Sequence, residues 1–557
     1  MNLLHHDPPW KTYLWLGAIG ALIYLLLQIM PATSDSFFTG NTITVMEKDE
    51  AQEIAADFVR ERFGAEPTST HAIHQSDRLL SGYLAKTESM ATYEQRYDAR
   101  FPVDTYQVEV RTPRINSAGG ESLYYVYLHM ETGEVVSWNR LGNPLPSEQP
   151  LIDYEPAVEA AKTVAAARGF RTEELTALPG IADTGTVVLR VVGSTLDEAE
   201  LQLHIRSARA EDGTIRTVAY KPEFDVPQPY RDYVKQQDQL GAALSLGGYF
   251  GLTAVLFILS IIYAAVYRRH TSFLRGIALT VIFFALYVAN NYNMADGLRA
   301  GIGETPDADS FVSIGLIINV FIVVAMAASV YFALVAGDGL WRSAGRRLWP
   351  RFGESGYGEH VWRSMKLSYL LAFAMLGIQT LILLLLQEGI GAWATSDVTQ
   401  SPYNFGAPWL FPVLAWCAAI SEEAVYRLFG IGLLRKWFKN LFVASLIPTI
   451  IWALGHVTYP IYPATTRLIE LTIVGLLFSF IFLRFGFITA VFTHAIVNTV
   501  MMAAMLILLG TPINVLAGIL YLLLPVPIAW LLREWSRRRA GREPLGRPAP
   551  PEPAGPL

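Results

Sequence analysis

The chain contains 557 residues, of which 52% are hydrophobic and 17% are charged. Soluble domains carry about 25% charged residues, so this composition argues against a simple soluble protein, and the 12% aromatic content argues against a disordered one. The net charge of −6 argues against nucleic acid as a partner, because nucleic-acid-binding proteins present a basic surface. Cys417 is the single cysteine, which excludes an internal disulfide and a metal site made of several thiolates.

Ten apolar segments are long enough to be membrane spans, since about 20 apolar residues cross the hydrocarbon core of a bilayer. Lysine and arginine concentrate in alternate loops between these segments. Because basic loops stay in the cytoplasm, the pattern predicts a multi-pass protein with both termini cytoplasmic. The predicted spans are 13–30, 243–267, 273–292, 311–336, 367–388, 408–432, 441–457, 468–485, 487–509 and 514–532.

The first apolar segment lies in an N-terminal region, 1–34, that has two interpretations. Ala32 and Ser34 form a crude cleavage pattern for a signal peptide. The apolar run of about 18 residues is longer than the usual core of a signal peptide, so we expect an uncleaved anchor helix.

Residues 35–240 contain 33 acidic and 20 basic residues and no run that could span a membrane. The topology predicts that they form an extracytoplasmic α+β domain inserted after the first span. A helix precedes a set of strands twice, at 51–63 and at 157–170. This plan is similar to PepSY-like modules of exported bacterial proteins, so the domain is predicted to contain two such repeats. His71 and His74 are predicted to be polar surface residues rather than metal ligands.

The rest of the chain divides into three parts. Residues 241–365 are predicted to hold three spans and a cytoplasmic loop, in which Asn290 and Asn291 belong to a polar span end. Residues 366–535 hold the remaining six spans, and 536–557 form a disordered, basic and proline-rich cytoplasmic tail. The predicted fold class is a polytopic α-helical membrane protein of about ten transmembrane helices with an inserted extracytoplasmic α+β domain.

Three ionisable residues interrupt the sixth predicted span near its middle: Glu422, Glu423 and Arg427. Each charged group costs about 2.5–3.5 kcal/mol at the bilayer centre, so the three must face protein or a water-filled cavity. Glu423 and Arg427 are four residues apart with the acid first, which predicts an ion pair on one helical face. Glu422 lies about 100° around the helix and is available for another role.

Two other spans carry candidate site residues. His456 lies near the end of the seventh span, and His494 and Asn498 lie four residues apart on one face of the ninth. In straight helices that rise 1.5 Å per residue, the two histidines differ in depth by about 13 Å. A single site therefore requires a tilted or broken helix, or different span ends.

Three short motifs carry a family resemblance: EEAVYR from Glu422, WALGH from Trp452 and HAIVN from His494. In this order, each in its own apolar span, they resemble the motifs of the CAAX-protease and bacteriocin-processing family of intramembrane endopeptidases, which includes type II CAAX prenyl endopeptidases. The resemblance covers about residues 366–510 and identifies 366–535 as a protease-like core. Trp452 stands where the family usually has Phe, and we expect this difference to change packing rather than chemistry.

The resemblance implies that Glu422 and His456 activate a water molecule, while His494 and Asn498 donate hydrogen bonds to the oxyanion of a peptide under hydrolysis. Two mechanisms remain open. In one, Glu422, His456 and His494 ligate a divalent metal such as zinc and leave one position for water. In the other, Glu422 and His456 activate water without a metal. Because the residues lie in three separate segments, their spacing does not decide between the two.

The expected substrate is a membrane-associated protein or peptide that is cut within the lipid bilayer. The PepSY-like plan and the CaaX-independent members of the family imply a bacterial plasma membrane and a substrate without a prenyl group. The outer domain is expected to recruit or screen substrate, or to sense a condition of the envelope. Two alternatives use the same polar cluster: a transporter that relays ions, and a non-catalytic scaffold. The second to fifth spans have no charged positions that correspond to those of the later spans, which argues against the paired halves of a transporter.

Overall fold

The computed structural model describes residues 8–31, 45–113, 121–141, 148–180, 185–210 and 212–540. The described chain folds into a bundle of long apolar helices and a strand-rich domain that is inserted after the first helix. Ala32, Ser34 and the predicted disorder of 541–557 lie outside the described residues.

The inserted domain is built on a nine-stranded antiparallel sheet. The seventh strand alternates between a buried and a more exposed face, with Val187, Leu189 and Val191 buried. The second strand is instead buried on both faces over residues 105–110. The strands are β1 (Ser69–Ser76), β2 (Asp104–Pro113), β3 (Glu121–His129), β4 (Val135–Leu141), β5 (Glu148–Pro150), β6 (Leu175–Ala177), β7 (Thr186–Leu196), β8 (Ala199–Ala210) and β9 (Ile215–Asp225).

The order of the strands is β1-β2-β3-β4-β9-β8-β7-β6, with β5 paired to β8. The last strands of the two halves, β4 and β9, therefore meet at the centre, where Trp138 and Tyr220 are in register and their rings stack 5.0 Å apart. Each half contains a helix ahead of its strands, so the order of elements follows the repeated plan read in the sequence. The likeness to PepSY modules stays a prediction. The helices of the domain are α2 (Lys48–Phe63), α3 (Arg78–Lys86), α4 (Met90–Arg96) and α5 (Tyr154–Ala167).

The apolar bundle begins with α1 (Trp10–Tyr24), which continues as a π-helix over Leu25–Ile29. A second π-helical stretch, Leu244–Gly251, joins α6 to α7. Two-residue strands β10 (Trp393–Ala394) and β11 (Ile461–Tyr462) pair in the outer loops. The other helices are α6 (Gln228–Ala243), α7 (Leu252–Val266), α8 (Phe273–Asn293), α9 (Ala295–Ile302), α10 (Ala308–Ser343), α11 (Tyr357–Ile390), α12 (Val413–Glu422), α13 (Gly432–Phe438), α14 (Leu441–Leu454), α15 (Thr465–Phe485), α16 (Phe487–Leu508), α17 (Pro512–Leu523) and α18 (Pro525–Ala540).

Seven helices of the described chain are long and apolar enough to cross a membrane, or eight if the bent pair α17 and α18 is one span. The predicted count of ten is therefore not confirmed. The sixth predicted span is divided into α12, a π-helical stretch over Glu423–Ile431, and α13. The seventh corresponds to α14, whose 14 residues rise about 21 Å, less than the roughly 30 Å of a hydrocarbon core. These two irregular segments hold or adjoin the candidate residues Glu422 and His456.

Helix α1 packs closely against α11 through small residues. A Cβ atom added at Gly20 would lie 2.2 Å from the carbonyl oxygen of Phe373, and one added at Gly377 would lie 2.5 Å from the Cα atom of Gly20. Small residues allow such close contact between helices in membranes. The first helix is therefore an integral part of the bundle.

The sheet domain is fixed to the bundle in part through α9. Lys48 Nζ lies 2.7 Å and His71 Nε2 lies 2.9 Å from the Asp296 carboxylate, and Arg299 Nη1 lies 3.0 Å from Glu109. Burial of the Asp296 carboxyl by itself raises its pKa, but the hydrogen bond from His71 and the charge of Lys48 outweigh it and lower the pKa to about 2. These contacts fix α9 to the edge of the sheet.

The prediction that His74 is a surface residue is wrong. His74 is only 8% exposed, its backbone N–H donates to Asn404 Oδ1 at 2.8 Å, and its ring Nε2 lies 3.1 Å from Asp104. His71, by contrast, keeps a half-exposed side chain at the contact with Asp296. Both histidines lie where β1 meets the bundle, a contact that the period of the strand alone does not reveal.

Candidate active site

The four predicted catalytic residues line one cavity of about 810 Å³ within the bundle. Glu422 ends α12, His456 follows the end of α14, and His494 and Asn498 lie on α16. The predicted depth difference between the two histidines is spanned by the indole of Trp452, whose ring centroid lies 5.2 Å from that of His456 and 6.1 Å from that of His494. Residues from three separate segments therefore share one space.

The change from α-helix to π-helix separates the roles of two adjacent acids. Glu422 is the last residue of α12 and its side chain is 20% exposed, whereas Glu423 begins the π-helical stretch and is fully buried. Such π-helical turns occur frequently at functional sites. Glu422 therefore faces the cavity while Glu423 faces the protein interior.

Glu423 connects the predicted ion pair to His494. Its Oε1 atom lies 3.3 Å from Arg427 Nη1 and 2.9 Å from His494 Nδ1. The side chain of Arg427 is 1% exposed, and its guanidinium lies over the Trp452 ring at 4.4 Å. A buried charge requires a partner of this kind, because an unpaired ion is costly in a medium of low polarity.

His494 has a different partner at each ring nitrogen. Nδ1 faces Glu423, and Nε2 lies 3.7 Å from Glu422 Oε2. A ring that donates from Nδ1 to the Glu423 carboxylate has its position fixed by that bond, and its Nε2 atom faces Glu422. This arrangement orients the imidazole towards Glu422.

His456 is oriented by its own helix end. Its Nδ1 atom lies 3.0 Å from the carbonyl oxygen of Trp452, one turn earlier in the chain. Because a carbonyl oxygen only accepts, Nδ1 carries the proton and Nε2 is the acceptor in the neutral ring. His456 can therefore accept a proton or a hydrogen bond from a water molecule.

The segment that contains these residues matches a described family over part of the chain. Residues 404–500 match the Rce1-like type II CAAX prenyl endopeptidases. This segment contains all three motifs, so the predicted resemblance to CAAX-type proteases is confirmed for it. The match supports protease activity, and it does not favour a transporter or a scaffold.

A bacterial relative shares a similar segment. The sporulation-killing factor biosynthesis protein SkfC of Bacillus subtilis (strain 168) is 30% identical over 84 residues, which are 15% of this chain and 17% of that protein. The chain thus matches about a sixth of the length of this curated relative. No solved structure matches the chain significantly.

Trp452 is the position at which the Rce1-like segment departs from the usual family pattern. Its indole Nε1 donates a hydrogen bond to Glu422 Oε2, so the residue contributes more than packing to the candidate site. A Phe has no N–H group and could not make this bond. The expectation that the difference leaves the chemistry unchanged stays a prediction.

A second buried acid near the Rce1-like site was missed in the sequence. Glu470 on α15 is fully buried, accepts a hydrogen bond from Gln379 Nε2 at 2.8 Å and lies 2.6 Å from Arg467 Nη1. Gln379 and Arg467 both line the cavity. The Arg467–Glu470 spacing of three residues at the start of a span was the available signal.

The side chains of the Rce1-like site indicate whether a metal ion could bind there. Among the described residues, no group of three His, Cys, Asp or Glu side chains is placed to share one metal ion. The described side chains therefore do not fit the three-ligand zinc site considered from the sequence. The bonds at the Nδ1 atoms of His456 and His494 do not bear on this point, because histidines that bind metals make such bonds as well.

Proposed function

We propose that the protein is an intramembrane endopeptidase that hydrolyses a peptide bond of a membrane-associated protein or peptide. The observation that carries this proposal is that Glu422, His456, His494 and Asn498 line one cavity in the bundle. Within it, a carboxylate and an imidazole lie 3.7 Å apart, each held by a separate buried partner.

In the proposed mechanism, Glu422 acts as the general base. Its carboxylate takes a proton from a water molecule that also donates to His456 Nε2, and the water oxygen attacks the carbonyl carbon of the substrate. His494, as the imidazolium, and Asn498 donate hydrogen bonds to the oxyanion that forms. The C–N bond then breaks, and the proton held by Glu422 passes to the leaving amine.

Glu423 and Arg427 position the catalytic groups. The Glu423 carboxylate contacts Nδ1 of His494 and orients its ring, and Arg427 pairs with Glu423. In other hydrolases a buried acid likewise orients the catalytic histidine through a hydrogen bond at Nδ1.

We propose that the hydrolysis needs no metal, because no three acid, imidazole or thiolate side chains of the described chain are placed to share one metal ion. The purified protein should retain its turnover number in excess EDTA or 1,10-phenanthroline and contain less than one zinc per chain. Loss of turnover with the chelator, together with its recovery on added zinc, would refute this mechanism while leaving the proteolytic function intact.

We further propose that the sheet domain lies outside the cytoplasm of a bacterial plasma membrane and screens or recruits substrates. Cys417 is the single cysteine and is fully buried, so cysteine labelling has a low background. A membrane-impermeant maleimide should label Thr132→Cys in intact cells, and Lys439→Cys only after the membrane is opened. The reverse pattern would contradict this topology.

The proteolytic function is tested by comparing membrane-derived peptides from cells that express the wild type or Glu422→Gln at equal levels. This change keeps the size of the side chain and removes its basic carboxylate. We expect a set of peptides to be present in the wild type and absent in the variant. Identical peptide sets, with both proteins folded in the membrane, would refute the proposal.

A further inference from the structure

The wall of the cavity that lies outside residues 404–500 carries five carboxamide side chains, and three of them lie on α8 and α10. Asn290 and Asn291 are near the end of α8, and Asn319 is on α10. The neighbours of Asn319 are apolar and outward-facing, since Ile318 and Phe321 are 53% and 71% exposed. Polar residues in apolar helices are costly, and those that face a cavity commonly mark a path for a substrate.

Asn290 has hydrogen-bonding capacity that the fold does not use. The residue is 3% exposed, its Nδ2 atom contacts the sulfur of Met294 at 3.1 Å, and its Oδ1 atom has no hydrogen-bond partner within the described chain. A thioether sulfur is a weak acceptor. A buried polar group without a partner costs free energy, so its presence in the wall of a cavity calls for a ligand or a water molecule.

Asn291 helps to hold this wall in place. Its Nδ2 atom donates to the carbonyl oxygen of Leu316 at 3.4 Å and so links α8 to α10. Asn290 and Asn319 are thereby carried on two helices that are fixed to each other, and both line the cavity that contains Glu422.

A peptide segment that is cut inside a membrane needs hydrogen-bond partners of the kind that Asn290 offers. Its carbonyl carbon is open to attack only after the local helix unwinds, which removes the hydrogen bonds of several backbone N–H and C=O groups. Without water, each such group must find a partner in the protein. A carboxamide offers one acceptor and one donor group, and this matches the C=O and N–H of a peptide backbone.

We propose that Asn290, together with Asn319, forms a binding subsite for the backbone of the unwound substrate segment, in the same cavity as Glu422. The inference rests on the proposed function and extends it, because the subsite binds any extended peptide regardless of its side chains. The family-matched segment would then supply the hydrolytic groups, while α8 and α10 bind the chain to be cut.

The test uses a synthetic peptide that covers a cleavage site identified by the Glu422→Gln comparison. Asn290→Leu should raise the KM of the purified full-length protein for this peptide about tenfold and change kcat less than twofold, since uniform binding is lost. Asn290→Asp, which keeps the size and the acceptor but loses the N–H donor, should raise KM less. The matched control is Thr280→Val on the same helix, because the Thr280 hydroxyl is buried, has no partner in the described chain and does not line the cavity.

The outcomes separate the two proposals. If Glu422→Gln abolishes the peptide products but both folded Asn290 variants keep the KM of Thr280→Val, the subsite is refuted and the protease function stands. If Glu422→Gln leaves the products unchanged, the protease function itself fails. Should Asn290→Leu not fold, the KM of Asn290→Asp relative to Thr280→Val decides, since Asp has nearly the size of Asn.

Discussion

Replacement of Trp452 by Phe isolates one hydrogen bond at the centre of the site. Phe keeps an aromatic ring between the two histidines and over Arg427, but it removes the N–H group that donates to Glu422. Because Phe is the usual residue at this position in the resembling family, we expect the variant to fold and to keep part of its activity.

The size of the effect follows from the type of bond. A hydrogen bond to a charged group contributes about 1.5–3 kcal/mol, and every 1.4 kcal/mol changes a rate about tenfold. If the bond aligns the Glu422 carboxylate for proton transfer, kcat should fall about 10- to 150-fold in Trp452→Phe. KM should change little, since the indole N–H is bonded to Glu422 rather than to the substrate.

The assay measures kcat and KM on a synthetic peptide that covers an identified cleavage site. Trp416→Phe is the matched control, because Trp416 lies on α12 with Glu422, packs against Phe492, and its buried Nε1 has no partner in the described part of the chain. Equal kcat values for the two variants, with Trp452→Phe folded, would refute the reasoning that the indole positions Glu422.

Three further predictions concern the stability of the molecule. Glu423→Gln removes the charge that pairs with the buried Arg427, which should cost about 3–5 kcal/mol; an unchanged thermal unfolding midpoint in detergent would contradict this. The pKa of Asp296 is lowered to about 2 in the folded protein, so its carboxylate contributes stability above about pH 4 that is lost as the pH falls through 2. Asp296→Asn should therefore weaken protection of α9 amides in hydrogen exchange by about 2 kcal/mol at pH 7 and by much less near pH 2; an equal difference at both pH values would refute this origin. Gly377→Ala places a methyl group against the backbone of α1 and should lower the unfolding midpoint, whereas Gly389→Ala on the same helix meets no atom within 4 Å and should not; equal midpoints would contradict the close packing.

The long apolar helices could be predicted from the sequence because a run of about 20 apolar residues has few alternatives in a membrane. The count of ten is not confirmed, because α14 is short and the segment around Glu422 is irregular. An apolar run does not reveal that a helix is short or that it changes to a π-helix, because both depend on packing against other segments.

The four cavity residues could be proposed from three motifs, since ionisable groups in apolar spans are rare and costly. The roles of Trp452 and Asn290 could not be predicted from the sequence. The hydrogen bond of Trp452 joins two segments 30 residues apart. In the sequence Asn290 belongs to a polar span end, and nothing there indicates that α8 lines the cavity. Contacts between segments that are distant in the chain do not produce a periodic pattern of residues, so a single sequence does not indicate them.

The mixed lining of the cavity has a consequence for proteins that share only the matched segment. Such proteins can keep the motifs of residues 404–500 and line the cavity with different residues elsewhere, since α8 and α10 lie outside that match. Similarity at the three motifs therefore indicates a similar reaction, but it does not indicate which peptide is cut. Swapping α8 to α10 between two such proteins would be the direct way to exchange their substrates.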